Sequence, residues 1–486
     1  LVPTSWSSAL STAANLISQA VKDNGAQSVA IIGGARGTNE DAYAWSLFAQ
    51  ALGVTNVDAQ LDDGLPASVF GYNQATIDQA ANATTVILLS PDLKEELPIL
   101  YLRLRDASEK KRSKLIEFAP KQTGITRYAW KSVAYEPGNQ VAVVASTLAD
   151  ATIAAQVAKG SVVVVVGRAN LAEDDSFTMA ALDAVMAAAP NATVLPVIRR
   201  GNVRGAIESG LVTGSTTSIL RSAVAGKINC LILLGADPIA DVRDTELARQ
   251  AMAAVQHVIA IDTFASSSSQ RADVLLPAAA FGEKDGTTTN LEGRVTQLNR
   301  KVNVHGTARP DWMIALELAD YLGHDLGVGS VQEVHQQLVS KVAAFGDATR
   351  AALAINPDGV LLRRSSGNVS AGSAPTVPDR PGFGYRLVVS RKLYDNGSNV
   401  AHSASLAPLA PGSSLHMHPL DLDRLGAAVG AQVKVSNDRT SIVMPIVADE
   451  SVTRGTVWAA WAQNGSNIGE LIDSSRSVND VKVETL

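Results

Sequence analysis

A chain of 486 residues is too long for one hydrophobic core and, at ~100–200 residues per domain, divides into two to four. Its formal net charge of −6 excludes a general nucleic-acid surface, because no sustained cationic field is present to displace counterions from phosphates. The single cysteine, Cys230, excludes an intrachain disulfide and a thiolate-ligated iron–sulfur cluster built from this chain alone, and no apolar run reaches the ~18–20 residues of a membrane helix.

Helical spacing through Trp6, Leu10, Ala14, Ile17 and Val21 predicts a helix over Ser5–Val21, ended by Asn24-Gly25. The pattern lacks a basic start and an apolar centre, so it is not a signal peptide. With Leu rather than Met at position 1, the chain is expected to lack an amino-terminal portion. Ser28–Gly33 is a buried strand running into Gly33-Gly34-Ala35-Arg36-Gly37-Thr38-Asn39-Glu40 and a helix over Asp41–Leu52. This glycine-rich turn is neither a Walker A loop nor a G-x-G-x-x-G fingerprint, so it is read as a phosphate cradle or as a tight strand-to-helix turn.

Strand, helix and strand recur at Thr85–Leu89, Leu97–Ala107 and Lys114–Phe118, and again at Ser161–Gly167, Thr178–Ala189 and Thr193–Pro196. Glu109–Lys114 (EKKRSK) is the one basic cluster, read as a solvated helix end or as a docking point for an acidic partner. Three buried-strand signals follow at Cys230–Asp237, His257–Asp262 and Ala272–Pro277. Phe281–Arg294 (FGEKDGTTTNLEGR) then lacks any apolar period and is expected to be a loop at the carboxyl end of a parallel sheet, where such folds bind ligands.

Helices are expected at Trp312–Leu322 and Val331–Phe345. Gly, Ser, Pro and Arg over Asn356–Pro381 read as a linker. Beyond it, short period-two runs at Tyr385–Ser390, Gln432–Ser436, Ser441–Val447 and Thr456–Ala460, with one helical pattern at Pro419–Leu425, predict a compact β-barrel.

Several side chains qualify for chemistry on type alone. His416 and His418 alternate on a segment expected to be extended, which puts both imidazoles on one face for a metal or an interface. Glu283 with Asp285, and Glu292 with Arg294, are candidates for proton chemistry or for an ion-pair network that pins the loop. Ser266–Ser269 has no His or Asp partner at a recognisable spacing, so a serine nucleophile has no support.

The run ADVLLPAAAFGEKDGTTTNLEGRVTQ, residues 272–297, resembles the segment that closes the nucleotide-like domain of the molybdopterin oxidoreductase superfamily. Ile32–Asn39 (IGGARGTN), Ile99–Thr123 and Gly201–Gly210 (GNVRGAIESG) are similar to three further superfamily motifs. Leu387–Val447 resembles the carboxyl-terminal double-psi β-barrel that holds a pterin dinucleotide in catalytic members. The resemblance implies an α/β fold of two doubly wound, Rossmann-like lobes plus that barrel. The boundaries expected are 1–59 with 226–345 for the first lobe, 60–225 for the second, 346–382 for a linker and 383–486 for the barrel.

Within the superfamily the chain looks most like the large iron–sulfur subunit of bacterial NADH:quinone oxidoreductase, respiratory complex I. Three departures bear on its chemistry. The family's metal-ligand segment reads AQLDDGLPAS from Ala59, with no thiol or selenol and only the hard donors Asp62 and Asp63. The motif read "DPR.T" has become Ala119-Pro120-Lys121-Gln122-Thr123, and the acid of "PGTD" is Gln140.

The expectation is therefore a catalytically silent scaffold with no catalytic residue, no metal ligand and no cofactor of its own. Its vestigial crevice would be lined by Gly34, Arg36, Thr38, Asn39, Asp237, Glu283, Asp285, Gly286, Asn290 and Arg294. By the same resemblance, 4Fe–4S and 2Fe–2S clusters would lie in the amino-terminal part. FMN and further clusters would lie in partner subunits of a peripheral arm on the cytoplasmic side of the bacterial inner membrane, with no nucleic acid and no direct membrane insertion. The alternatives are an active molybdenum or tungsten bis-pterin oxidoreductase of the formate dehydrogenase or nitrate reductase type, and a binding protein that kept the cleft for another nucleotide.

Overall fold

The computed structural model describes residues 1–363, 374–382 and 384–486. The chain folds as two compact units, Leu1–Asp63 with Ile198–Ser365 and Gly64–Val197 with Ser366–Leu486. Among the described residues no single helix is long and apolar enough to cross a membrane.

The first unit is built on five parallel strands in the order Val274–Pro277, His257–Asp262, Cys230–Leu234, Val29–Gly33 and Asn56–Asp58. The three central strands are continuous apolar runs, the pattern of a parallel sheet covered on both faces. The first helix, Trp6–Asn24, is capped by Ser5, which accepts from Ser8 N, and buries Leu10, Ala13, Ala14, Ile17 and Ala20. The helix Asn39–Leu52 has a capping box in which Thr38 and Asp41 satisfy each other's backbone N–H groups, and it ends at Gly53 in the left-handed conformation.

The expected boundaries move. Residues 60–63 and 198–225, assigned above to the second lobe, belong to the first unit, where the helix Thr216–Val224 packs on the helix Thr245–Ala254 and both the backbone N–H and the hydroxyl of Thr216 donate to buried Asp58. The span 346–382 is not simply a linker. It contains the helix Arg350–Ile355 and the strand Val360–Leu361, which pairs antiparallel with Arg294–Leu298. Residues 364–373 of that span, and Phe383, lie outside the described residues.

The expected loop Phe281–Arg294 also holds more structure than its composition suggested. After a short turn at Phe281–Glu283, Gly286–Thr289 forms a strand antiparallel to Arg294–Leu298. Thr287 and Thr289 are buried while Gly286 and Thr288 are half-buried, so β-branched threonines supply a period of two that apolar residues do not.

The second unit has its own five-stranded parallel sheet, ordered Lys131–Ala134, Lys114–Ala119, Thr85–Leu89, Val162–Val166 and Thr193–Pro196. Val162–Val166 is five valines with every side chain buried. The same unit carries the barrel, closed by six strands in the order Tyr385–Ser390, Thr456–Ala460, Leu415–Met417, Ser441–Ala448, Gln432–Ser436 and Asp480–Thr485. Its interior is Leu387, Val389, Met417, Val433, Val435, Ile446 and Val457 with their neighbours. Asn170 joins barrel to sheet: its amide N–H donates to Leu387 O at 3.1 Å and its oxygen accepts from Val389 N at 2.9 Å.

Candidate functional site

In the first unit, three motif segments that are far apart in sequence meet at one hydrogen-bonded knot. Asn39 Nδ2 donates to Thr287 Oγ1 at 2.9 Å, and Asn39 Oδ1 accepts from Thr289 Oγ1 at 3.0 Å. Asn202 Oδ1 accepts from Thr289 N at 2.7 Å. Glu40 accepts from Thr287 N at 2.7 Å and from its hydroxyl at 2.8 Å, and its carboxylate also meets His335 Nδ1 at 2.8 Å. Gly205 must be glycine here, since a Cβ would overlap the amide oxygens of Asn39 and Asn202. Beneath the knot, Lys284 Nζ lies 2.8 Å from Asp41 Oδ2 and 2.6 Å from Asp311 Oδ2, all three side chains buried. The two carboxylates outweigh the effect of burial and raise the Lys284 pKa, so the ammonium stays charged.

The expected crevice residues do not converge on one point. Thr38, Asn39 and Gly286 share the knot, and a Cβ on Gly286 would lie 2.6 Å from Glu40 Oε2. Arg36 turns to Asp241 at 3.1 Å and to Gly235 O at 3.2 Å. Asp237 accepts from Ser267 N and Ser268 N, Glu283 from Ala280 N and His305 N, and Asp285 from Arg300 N. Asn290 closes the hairpin turn by accepting from Glu292 N and Arg294 N, and Arg294 pairs with Glu292 at 2.6 Å. The glycine turn has a structural reason of its own: Gly33 and Gly34 both have positive φ, a Cβ on Gly33 would overlap Leu234 O, and one on Gly34 would come 2.5 Å from Leu211 Cδ2.

The segment from Ala59, expected above to correspond to the family's metal-ligand segment, is a strained stretch of this unit. Leu61 and Asp62 have φ of 56° and 60°, and Arg200, which reaches into the same stretch, has φ 76°. Arg243 Nε donates to Asp62 Oδ2 at 2.7 Å. Arg200 Nη1 donates to Asp63 Oδ1 at 2.6 Å and to Gln60 O at 2.8 Å. Burial works against the Arg200 charge, but Asp63 and then Asp241 hold its pKa above the ordinary value. Each of the two carboxylates is paired with an arginine, and both are hard oxygen donors. Cys230 is buried at the start of the strand Cys230–Leu234, its thiol pushed up to about 12 by burial. The donors present do not fit a thiolate-held molybdenum. Arg200 and Arg243 escaped the sequence reading; the Arg-Arg-Gly-Asn run before Val203 was the one signal for Arg200, and Arg243 had none.

In the second unit a crevice opens at the carboxyl ends of Thr85–Leu89 and Lys114–Ala119, lined by Asp92, Lys121, Thr123, Lys392 and Trp458 among others, with a volume of ≈ 40 Å³. Its lining side chains are engaged with one another. Lys121 Nζ donates to Ser451 Oγ at 2.8 Å and lies 4.9 Å from the centre of the Trp458 ring, and Lys392 pairs with Glu95 at 2.6 Å. Burial pulls the Lys121 pKa down, with Asp449 and Asp92 opposing it.

The two histidines separate. His416 sits on a strand with Nδ1 2.9 Å from Asp449 and its ring edge-on to Trp458, whereas His418 caps the helix Pro419–Leu425 by accepting from Leu420 N at 3.2 Å. Among the described residues no group of three or more His, Cys, Asp or Glu is placed to hold a metal ion. Gln140, at the "PGTD" acid position, is fully buried and neither atom of its amide has a hydrogen-bond partner.

Comparison with known proteins bears on what this arrangement serves. The family model described as Molybdopterin oxidoreductase matches residues 1–321, and that described as Molydopterin dinucleotide binding domain matches residues 385–483. The chain is 26% identical to the NADPH-Fe(3+) oxidoreductase subunit alpha of Geobacter sulfurreducens, over 99% of this chain and 66% of that protein. It is 28% identical to the G-type subunit of the NADH-quinone oxidoreductase of Mycobacterium tuberculosis, over 96% of this chain and 60% of that one. To the F420-dependent formate dehydrogenase 1 subunit alpha of Methanococcus maripaludis it is 22% identical, over 96% and 86%. The chain thus spans no more than 66% of the first two relatives. Acetylene hydratase from Pelobacter acetylenicus shares the fold, with a TM-score of 0.70 at 13% identity, over 100% of this chain and 90% of that one.

Proposed function

The chain belongs to the molybdopterin oxidoreductase family, and from that premise we propose that it is a scaffold portion of the peripheral arm of a proton-pumping NADH:quinone oxidoreductase. In this reading the assembled enzyme takes two electrons from NADH, passes them through FMN and iron–sulfur clusters to quinone, and couples the transfer to proton translocation. The chain itself holds neighbouring subunits in place and carries no redox centre. The observation that carries the reading is the pairing of Asp62 with Arg243 and of Asp63 with Arg200 at the segment that, by resemblance, corresponds to the family's metal-ligand segment. Each pairing neutralises a carboxylate that would otherwise stand as an uncompensated charge. The likeness to the mycobacterial NADH-quinone oxidoreductase component over 96% of the chain supports the same assignment.

A second reading, a molybdenum or tungsten bis-pterin oxidoreductase, is favoured by the likeness to the formate dehydrogenase alpha chain, which covers 86% of that protein. Purification of the chain through an affinity tag from cells that make it, in mild detergent, separates the two. The scaffold reading expects FMN-binding and iron–sulfur subunits and NADH:quinone activity in the eluate. A chain recovered without them, or with formate-dependent dye reduction, overturns it.

A further inference from the structure

A groove of ≈ 300 Å³ runs beside the helix Pro98–Glu109 of the second unit, lined by Ala81, Asn82, Ile99, Leu102, Arg103, Asp106 and Arg112. Ile99 is 70% exposed and Leu102 50%, on a helix whose opposite face buries Leu100, Tyr101, Leu104 and Ala107. The buried set fixes the orientation of the helix, so the outward apolar pair is not needed for packing within the unit. Covering such apolar side chains is favourable, so the pair offers a contact that the unit itself does not make.

The charge around the groove is as informative as its apolar floor. Arg103, Arg105, Lys110, Lys111 and Arg112 stand against Asp78, Asp106 and Glu109, a surplus of two cations on a chain whose net charge is −6. Each of these ion pairs is open to solvent: Arg103 with Asp78, Arg105 with Glu109 at 3.2 Å, and Lys110 and Arg112 both with Asp106 at 2.8 Å. Two cations sharing Asp106 leave hydrogen-bond donors for an added carboxylate. A helix C-terminus accounts for Lys110 through its dipole, but not for an isoleucine 70% exposed at the other end.

We propose that this groove docks an acidic segment of a partner subunit, with one apolar side chain seated between Ile99 and Leu102 and carboxylates on Arg103 and Arg112. The proposal rests on the scaffold reading and gives it a surface and a partner chemistry. Ile99→p-benzoylphenylalanine in the full chain, made in its own cells and irradiated, tests it, with Ile355→p-benzoylphenylalanine on the exposed surface of the other unit as control. The expected product is a covalent link from position 99, and not from 355, to a peptide of a second polypeptide that carries Asp or Glu beside Leu, Ile, Val, Phe or Met. Ile99→Asp, which replaces an exposed side chain and leaves the fold intact, is expected to lower recovery of that polypeptide about tenfold. A peptide without acidic residues, a link to another copy of this chain, or no link above the control overturns the proposal. Peripheral-arm subunits that co-purify while position 99 stays unlinked overturn this surface alone; an acidic partner from outside that arm keeps the surface and overturns the scaffold reading.

Discussion

Lys284 is the side chain on which the knot of the first unit depends most directly. Its ammonium is paired with two buried carboxylates, and one of them, Asp41, also caps the helix Asn39–Leu52 by accepting from Thr38 N at 2.8 Å. Removing one partner of a buried ion pair costs ~3–5 kcal/mol because the remaining charge is neither solvated nor paired. Lys284→Met is therefore expected to lower the unfolding free energy of the first unit, measured by urea titration, by an amount in that range. Lys284→Arg, which keeps the charge, should lose less. Glu173 of the second unit presents the opposite electrostatics. Burial lifts its carboxyl from 4.5 to about 7, although Gly138 N donates to it at 2.5 Å and Arg168 pulls the other way. Because the folded protein holds this proton where the unfolded chain releases it, stability falls as pH rises from about 4.5 to about 7, by up to ~3 kcal/mol. Glu173→Gln should remove that slope. Urea midpoints for both proteins at pH 5 and pH 8 check it, and equal losses in the two would show that Glu173 is not the titrating group.

The barrel shows how an element can be decisive and quiet in sequence. Asp480–Thr485 pairs with Gln432–Ser436 along four residues and with Tyr385 and Arg386, closing the ring. Without it, two strands present unpaired edges and Val433 and Val435 lose cover, which favours association through the edges. Truncation after Asn479 is expected to give a soluble yield several-fold lower and oligomers by size-exclusion chromatography; a monomeric product at full yield would contradict this. This strand was missed because its alternation, Val481 and Val483 among charged residues, is short and lies beyond the last clear turn signal. Most of the parallel strands were legible, Thr85–Leu89, Thr193–Pro196 and His257–Asp262 to the residue, since buried runs of Val, Ile and Leu bounded by turns have few other meanings, whereas the edge strands Asn56–Asp58 and Lys131–Ala134, short and partly polar, were missed. The hairpin of Gly286–Thr289 was not, because threonine carried its period. The site was legible only as motifs. Asn39, Asn202 and Thr287 stand in recognisable segments, but their meeting depends on the sheet order, and the arginines that hold Asp62 and Asp63 come from positions 181 and 137 residues away.

At the scale of the whole molecule, the two units each carry a parallel sheet with loops at its carboxyl ends, and in each the side chains that could meet a ligand are engaged with one another. In the first unit arginines hold Asp62 and Asp63; in the second, Lys121 and Lys392 line the crevice beside Trp458, each with a partner. That self-satisfaction is what a fold kept for shape and surface needs, and the exposed groove at Ile99 gives the surface a candidate use. The most direct test is elemental analysis for Mo, W and Fe on the purified chain and on the native assembly that contains it. A silent scaffold predicts no Mo or W in either, with iron in the assembly alone. About one Mo or W per chain would contradict it and make the Ala59–Leu65 segment the metal site of an active oxidoreductase.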